Sequence, residues 1–246
     1  MDDRPEAVTV ARILETLARG VITIEGAMPY SSNYTLLARI EHQDLQLLSI
    51  YKPKRGERPL WDFPQGSLYR REAAAYLVSE RLGFDLVPPT VVRSGPYGVG
   101  MVQLFIANDE EAHLFTMLQE GGYETKLRQL CLFDCIVNNA DRKSGHGLKG
   151  LDGRLWAIDH GICFHYEPKL RTVLWDFVGE PFGTELTAAL SQLQDSLQAE
   201  SELVRLLGEL LEKAELRALK RRLTHLLESG VFPPPGPGPN VPWPPV

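Results

Sequence analysis

One change of hydrophobic period divides this chain and limits the folds open to it. Before about residue 107 the apolar positions fall mostly in short alternating runs, and beyond it they recur every three to four positions. Val21–Glu25, Tyr34–Glu41 and Leu45–Tyr51 are rich in β-branched and apolar residues, split by the segment Gly26–Asn33 and by His42–Asp44. They predict a three-stranded antiparallel meander. A short helix is expected ahead of it over Pro5–Ala18, where Ile13, Leu14 and Leu17 are helically spaced and Gly20 stops the pattern. After a polar loop with three prolines, Ser67 is expected to cap a helix over Leu68–Leu82, with Gly83 just past its end. Thr90–Arg93 and Gly100–Ile106 complete the strands around the turn SGPYG, and the acidic stretch after Ile106 reads as a connector.

The second half reads differently. Tyr123–Val137 places Leu127, Leu130, Cys131, Phe133, Asp134 and Val137 on one face of a helix. Leu148–Ile158 holds Asp152-Gly153, a strong hairpin signal. A long loop follows, and Thr184–Ser229 gives two or three Leu-rich amphipathic helices. The expected class is α+β, with a β-rich lobe carrying one helix over 1–106 and a mainly helical lobe over 107–231. The last fifteen residues, 232–246, hold eight of the 18 prolines. They are expected to be extended, a disordered end or else a ligand for a partner, whose removal leaves stability unchanged.

Composition closes several routes. Twenty-six Lys and Arg against 32 Asp and Glu give a net charge of −6, which argues against a general nucleic-acid binder. No apolar run approaches the roughly 18 residues of a membrane span, so no integral membrane contact is expected. The start MDDRPEAV lacks an apolar stretch of the secretory kind. Three cysteines, Cys131, Cys135 and Cys163, without CxxC spacing read as the reduced thiols of a cytoplasmic protein.

The densest polar constellation is Asn139, Asp141, Arg142 and His146, followed by Asp159-His160-Gly161. Asp141 lies in a loop just past a helix, and Asp159 follows the apolar strand LWAI. Two carboxylates so presented suit a hard divalent cation, which wants oxygen ligands and few protein contacts. The competing reading makes these residues turn caps. Lys52 ends a strand and Glu72 lies in the first turn and a half of a helix that Ala73–Ala75 let approach the sheet closely, so the two are candidates for an ion pair that orients the ammonium on phosphate. Lys54 and Glu80 are their rivals. Ser31, Ser32 and Asn33 offer donors to an anion in a hairpin turn.

Together these residues resemble the protein-kinase-like fold in its atypical branch, near phosphatidylinositol 3/4-kinase-related and HipA-type kinases and a bacterial branch similar to them. The resemblance rests on the loop 26–33, Lys52, Glu72, the strand MVQLFI, the motif ADRKSGH over 140–146 and IDHG over 158–161. It implies a two-lobed kinase-like fold and the cofactors ATP with Mg²⁺ or Mn²⁺. It also implies roles. Asp141 is the catalytic aspartate, and Lys52 holds the phosphates with Glu72 as its partner. Ser31, Ser32 and Asn33 cover the phosphates, and Gln103, Leu104, Phe105 and Ile106 meet adenine. Asp159 is the metal ligand, joined by His146 or Asn139. Two positions depart from the pattern: Lys143 stands where the family has His, and His146 where it has Asn. A solvated imidazole at 146 would gain a proton below about pH 6.5 and cease to be a ligand.

The function implied is an ATP- and metal-dependent phosphotransferase acting on a hydroxyl, most readily a protein Ser/Thr, with a small molecule or phosphatidylinositol lipid as the other acceptors. A nucleotide-binding pseudokinase or interaction module is the second reading. A phosphohydrolase using Asp141, His146, Asp159 and His160 is the third.

Overall fold

The computed structural model describes residues 8–29 and 33–246. Helix α1 (Val10–Arg19) begins where the Thr9 hydroxyl accepts the Arg12 N–H, five residues later than the sequence pattern predicts. Its Leu17 packs on a sheet of five antiparallel strands in the order β1 (Val21–Ala27), β2 (Leu36–His42), β3 (Leu45–Pro53), β5 (Gly98–Leu104) and β4 (Thr90–Gly95). Leu36, Ala38 and Ile40 alternate inward along β2, which is the period-two signal made physical. At Gly100, opposite Pro53, a Cβ would lie 2.4 Å from the Lys52 carbonyl oxygen. That close approach fixes where Lys52 leaves the sheet.

Helix α2 (Leu68–Arg81) is buried over most of its surface, wedged between this sheet and the lower lobe. Ser67 does not cap it: the hydroxyl donates to the Pro64 carbonyl, while Glu57, twelve residues upstream, accepts the Tyr69 N–H at 2.8 Å. Sequence windows are blind to a cap supplied across a loop. Gly83, at φ +66°, ends the helix as expected.

The lower lobe contains α3 (Leu114–Glu120), α4 (Glu124–Val137), α5 (Gly183–Ser196), α6 (Glu202–Leu210) and α7 (Lys213–Ser229). A small antiparallel sheet joins β6 (Asn108–Asp109), β7 (Gly147–Gly150) and β8 (Leu155–Ala157). The acidic connector is thus partly a strand, because its backbone has an open edge of the predicted hairpin to pair with. Asn138, at φ +54°, closes α4 and turns the chain into the polar loop. Among the described residues no helix is long and apolar enough to cross a membrane, and the three cysteines are free and buried.

The expectation of a disordered proline end is overturned. Phe232 is only 1% exposed, wedged against Phe177 and Phe182, with its backbone paired to Gly179 and Glu180. Farther on, the Asn240 carbonyl accepts both the Thr172 N–H and the Trp175 indole N–H, and the Pro245 carbonyl accepts the Ser144 N–H at 2.8 Å. Trp243 stays exposed; beyond the buried Phe232, carbonyls rather than aromatic burial hold this strap. Prolines lose little freedom on ordering, so few bonds suffice. Phe232→Ala should cost about 3–5 kcal/mol, and removal of 232–246 should lower the melting temperature by roughly 6–20 °C, read by calorimetry. An unchanged melting temperature would show that the strap contributes nothing.

Candidate active site

Between the lobes lies a cleft of about 420 Å³. Asn33, Lys52, Gln103, Leu104, Phe105, Ile106, Asp141, His146 and Asp159 all line it, so residues from five separate stretches of sequence converge. Ser31 and Ser32 lie outside the described residues. Glu72 stands directly behind the wall, and Asn139 is fully buried away from it.

Strand β3 turns Ile50 and Lys52 toward the cleft, whereas Lys54 has entered the next turn and lies against Gly66. The Lys52 ammonium sits 2.7 Å from Glu72 Oε1 and 3.0 Å from Asp159 Oδ1. Burial alone would depress its pKa; the Asp159 and Glu72 carboxylates outweigh that and hold it well above the ordinary value. Glu72 also accepts the His160 N–H through Oε2 at 2.8 Å, fastening the upper lobe to the residue after Asp159. Glu80, the rival, is exposed. Asp159 has φ +63°, a conformation that costs a non-glycine residue of order 1 kcal/mol and that clusters at functional sites. Lys52 keeps its carboxylate far below the usual range.

Asp141 is held by its own backbone, whose N–H donates to Asn139 Oδ1 at 3.0 Å, while Asn139 donates to Asp134. Both ends of the Asn139 amide are therefore used, and the residue does not meet a cation. Burial lifts the Asp141 pKa to about 6 against the opposing charge of Lys143, 3.8 Å away. His146 Nε2 faces Asp159 Oδ2 at 3.5 Å, and its Nδ1 lies 3.4 Å from the Lys143 N–H. Burial pushes its pKa down to about 4, so the ring stays neutral well below the pH 6.5 expected of a solvated imidazole. His160 does not reach the cleft. It is fully buried, with Nε2 accepting from Arg142 at 2.6 Å, which removes the hydrolase's fourth group. Along the hinge, the Leu104 and Phe105 N–H groups are spent on the Pro89 and Leu48 carbonyls. Among the described residues the Ile106 N–H has no acceptor.

The sequence reading missed what holds the two aspartates in place. Arg142, fully buried, grips Asp134 of α4 through Nε and Nη2 at 2.9–3.2 Å. Its Nη1 donates to the carbonyls of His146 and Ile158. The signal was there: a carboxylate on the buried face of α4.

This cleft sits in a protein-kinase-like fold. The structure of the Golgi casein kinase with Mn/ADP bound aligns over 89% of this chain and 75% of its own, at a TM-score of 0.54 and 13% identity. The Helicobacter pylori proinflammatory kinase CtkA aligns over 88% and 94%, also at 0.54, with 11% identity. In sequence the chain belongs to the family of Protein Rv2133c of Mycobacterium tuberculosis, 39% identical over 261 aligned positions that cover 93% of each. It is 27% identical to Phosphatidylinositol 4-kinase gamma 2 of Arabidopsis thaliana over 90% of its own length, spanning about half, 48%, of that protein. No family model matches.

Arg142→Met strands the Asp134 charge in the interior and should cost about 3–5 kcal/mol in chemical denaturation. Arg142→Lys should recover little, because a compact ammonium lacks the planar fork that reaches Asp134 and both carbonyls from separate nitrogens. A loss below about 1 kcal/mol in both variants would mean that the pair is not what holds the loop.

Proposed function

We propose that this protein is a kinase: an ATP- and divalent-metal-dependent phosphotransferase acting on a hydroxyl, with a protein Ser/Thr as the acceptor. The single observation that carries the reading is the Lys52 ammonium shared by buried Glu72 and cleft-facing Asp159, with Asp141 on the same cleft. Phosphoryl transfer needs positioning and charge neutralisation more than covalent help. Glu72 aims Lys52, and Lys52 receives phosphate oxygens in place of its contact with Asp159. The adenine edge takes the Ile106 N–H. Asp141 receives or orients the acceptor hydroxyl.

A bound divalent cation supplies neutralisation of the polyphosphate charge. The donor set fits one: a carboxylate, Asp159, and a neutral imidazole, His146, lie 3.5 Å apart. His146 would hold the cation through Nε2 with its proton on Nδ1, at the loss of its long contacts with Asp159 and the Lys143 N–H. Among the described residues no group of three or more His, Cys, Asp or Glu forms a ready-made cage. That suits a cation held by one or two side chains together with phosphates.

Asp141→Asn should keep the thermal shift produced by an ATP analogue with metal yet lower transfer about 100-fold or more. Lys52→Met should weaken the analogue's shift, read against the variant's own unliganded melting temperature, and Lys54→Met should leave it intact. An intact shift in Lys52→Met overturns the nucleotide assignment. The similarity to a phosphatidylinositol 4-kinase favours a lipid acceptor as the second reading. Radiolabel transfer to phosphatidylinositol, with none to protein, would decide for it.

His146 sets the metal. An imidazole beside one carboxylate favours Mn²⁺ over Mg²⁺, and His146→Asn should shift the preference toward Mg²⁺. The check is nucleotide-induced stabilisation in each metal; identical ratios in His146→Asn, His146→Ala and the parent would remove His146 from the metal's ligands.

A further inference from the structure

A second cavity, of about 660 Å³, lies between α7, the segment 166–171 and the proline strap. It shares no lining residue with the interlobe cleft. Its wall holds Lys169, Arg171, Arg221, Arg222 and His225, and not one Asp or Glu, in a chain whose net charge is −6. Lys169 is neutralised by Asp62 at 2.9 Å. Among the described residues no carboxylate lies within ion-pair distance of Arg171, Arg221 or Arg222. Three arginines gathered without a contacting carboxylate, against the sign of the whole molecule, call for an anion.

Arg222 sharpens the point. Its Nε donates to the Ile136 carbonyl at 2.9 Å and its Nη1 to the His165 carbonyl at 3.2 Å, while Nη2 is buried without an acceptor. A buried guanidinium N–H left unsatisfied is costly; Nη2 has almost no accessible surface, so a phosphate oxygen would take it up only after the side chain turns toward the cavity. Leu170, Ala218, Leu226 and the rings of the strap prolines add apolar surface, beside the polar Asn138, Tyr166 and Asn240. Polar groups that converge on one side and apolar surface on the other are the ordinary make-up of a small-molecule site.

We propose that this cavity binds a phosphomonoester carried on an apolar body, with the phosphate at Arg171, Arg221 and Arg222 and the body under the strap. The site stands independently of the kinase reading. It bears on the cleft through the strap, whose Pro245 carbonyl takes the Ser144 N–H three residues from Asp141. A filled cavity would brace that strap.

The test uses the full chain with phenyl phosphate, inorganic phosphate and phenol as probes, read by thermal shift and calorimetry. Phenyl phosphate should bind and raise the melting temperature, and more weakly bound inorganic phosphate should raise it less. Phenol should not. The double variant Arg221→Ala/His225→Ala changes two exposed side chains of α7 and so should keep the fold. It should weaken phenyl phosphate binding about ten-fold, one lost charge-assisted contact, and leave the shift produced by an ATP analogue unchanged. A saturating ATP analogue should not displace phenyl phosphate. The proposal is overturned if phenyl phosphate at millimolar concentration gives no shift, if the double variant binds it as well as the parent, or if the ATP analogue displaces it. Co-sedimentation with phosphatidic acid vesicles without any response to phenyl phosphate would also overturn it, since the phosphate would then belong to a lipid surface. Failure of the kinase reading alone would show as loss of the analogue's shift with phenyl phosphate binding intact.

Discussion

The Arg142–Asp134 pair is the interaction on which the lower lobe's polar loop depends. Both side chains are fully buried, so in isolation each charge would be expensive. What makes the arrangement tolerable is saturation. Arg142 presents five donors in a planar fork; Asp134 takes two arms, and the carbonyls of His146 and Ile158 share a third. One guanidinium thereby fixes the end of the loop that carries Asp141 and the residue immediately before Asp159. The two cleft aspartates come from stretches 18 residues apart, and this side chain holds them at one place.

Glu72 performs the matching task from the upper lobe. One oxygen holds Lys52 and the other holds the His160 N–H, so a single carboxylate couples the sheet, α2 and the turn that carries Asp159. The charges gathered there balance: Lys52, Lys143 and Arg171, whose charge reaches Asp141, stand against Glu72, Asp141 and Asp159. The raised pKa of Asp141 and the depressed pKa of Asp159 express a contrast. One carboxylate is half-starved of solvent and weakly paired; the other lies against an ammonium.

The proline strap ties these parts to the back of the molecule. It reaches the loop after Asp141 through Ser144 and the segment after Asp159 through Thr172 and Trp175. Its composition misleads because prolines form no ladder of their own. Their carbonyls remain strong acceptors, and a restricted chain needs little compensation to stay ordered.

The sequence by itself determined what depends on neighbours in the chain. The change of period placed the two lobes, Asp152-Gly153 placed the hairpin, and the residue types at 52, 72, 141, 146 and 159 supplied the candidate polar groups. Tertiary structure alone decided what depends on contacts between distant residues. The strand register chose Lys52 over Lys54, because side chains two positions apart share a face only while the strand lasts. Packing of α2 chose Glu72 over Glu80 by burying one and exposing the other. Glu57 rather than Ser67 capped that helix, and the Asn139 amide was consumed by Asp134 and the Asp141 backbone. His146 lost its ordinary pKa to burial, which no local pattern encodes. The strap and the cationic cavity beneath it exist only because residues 166–171, 221–225 and 232–240 meet in space. Local chemistry selects the groups; the free energy of long-range packing selects their partners.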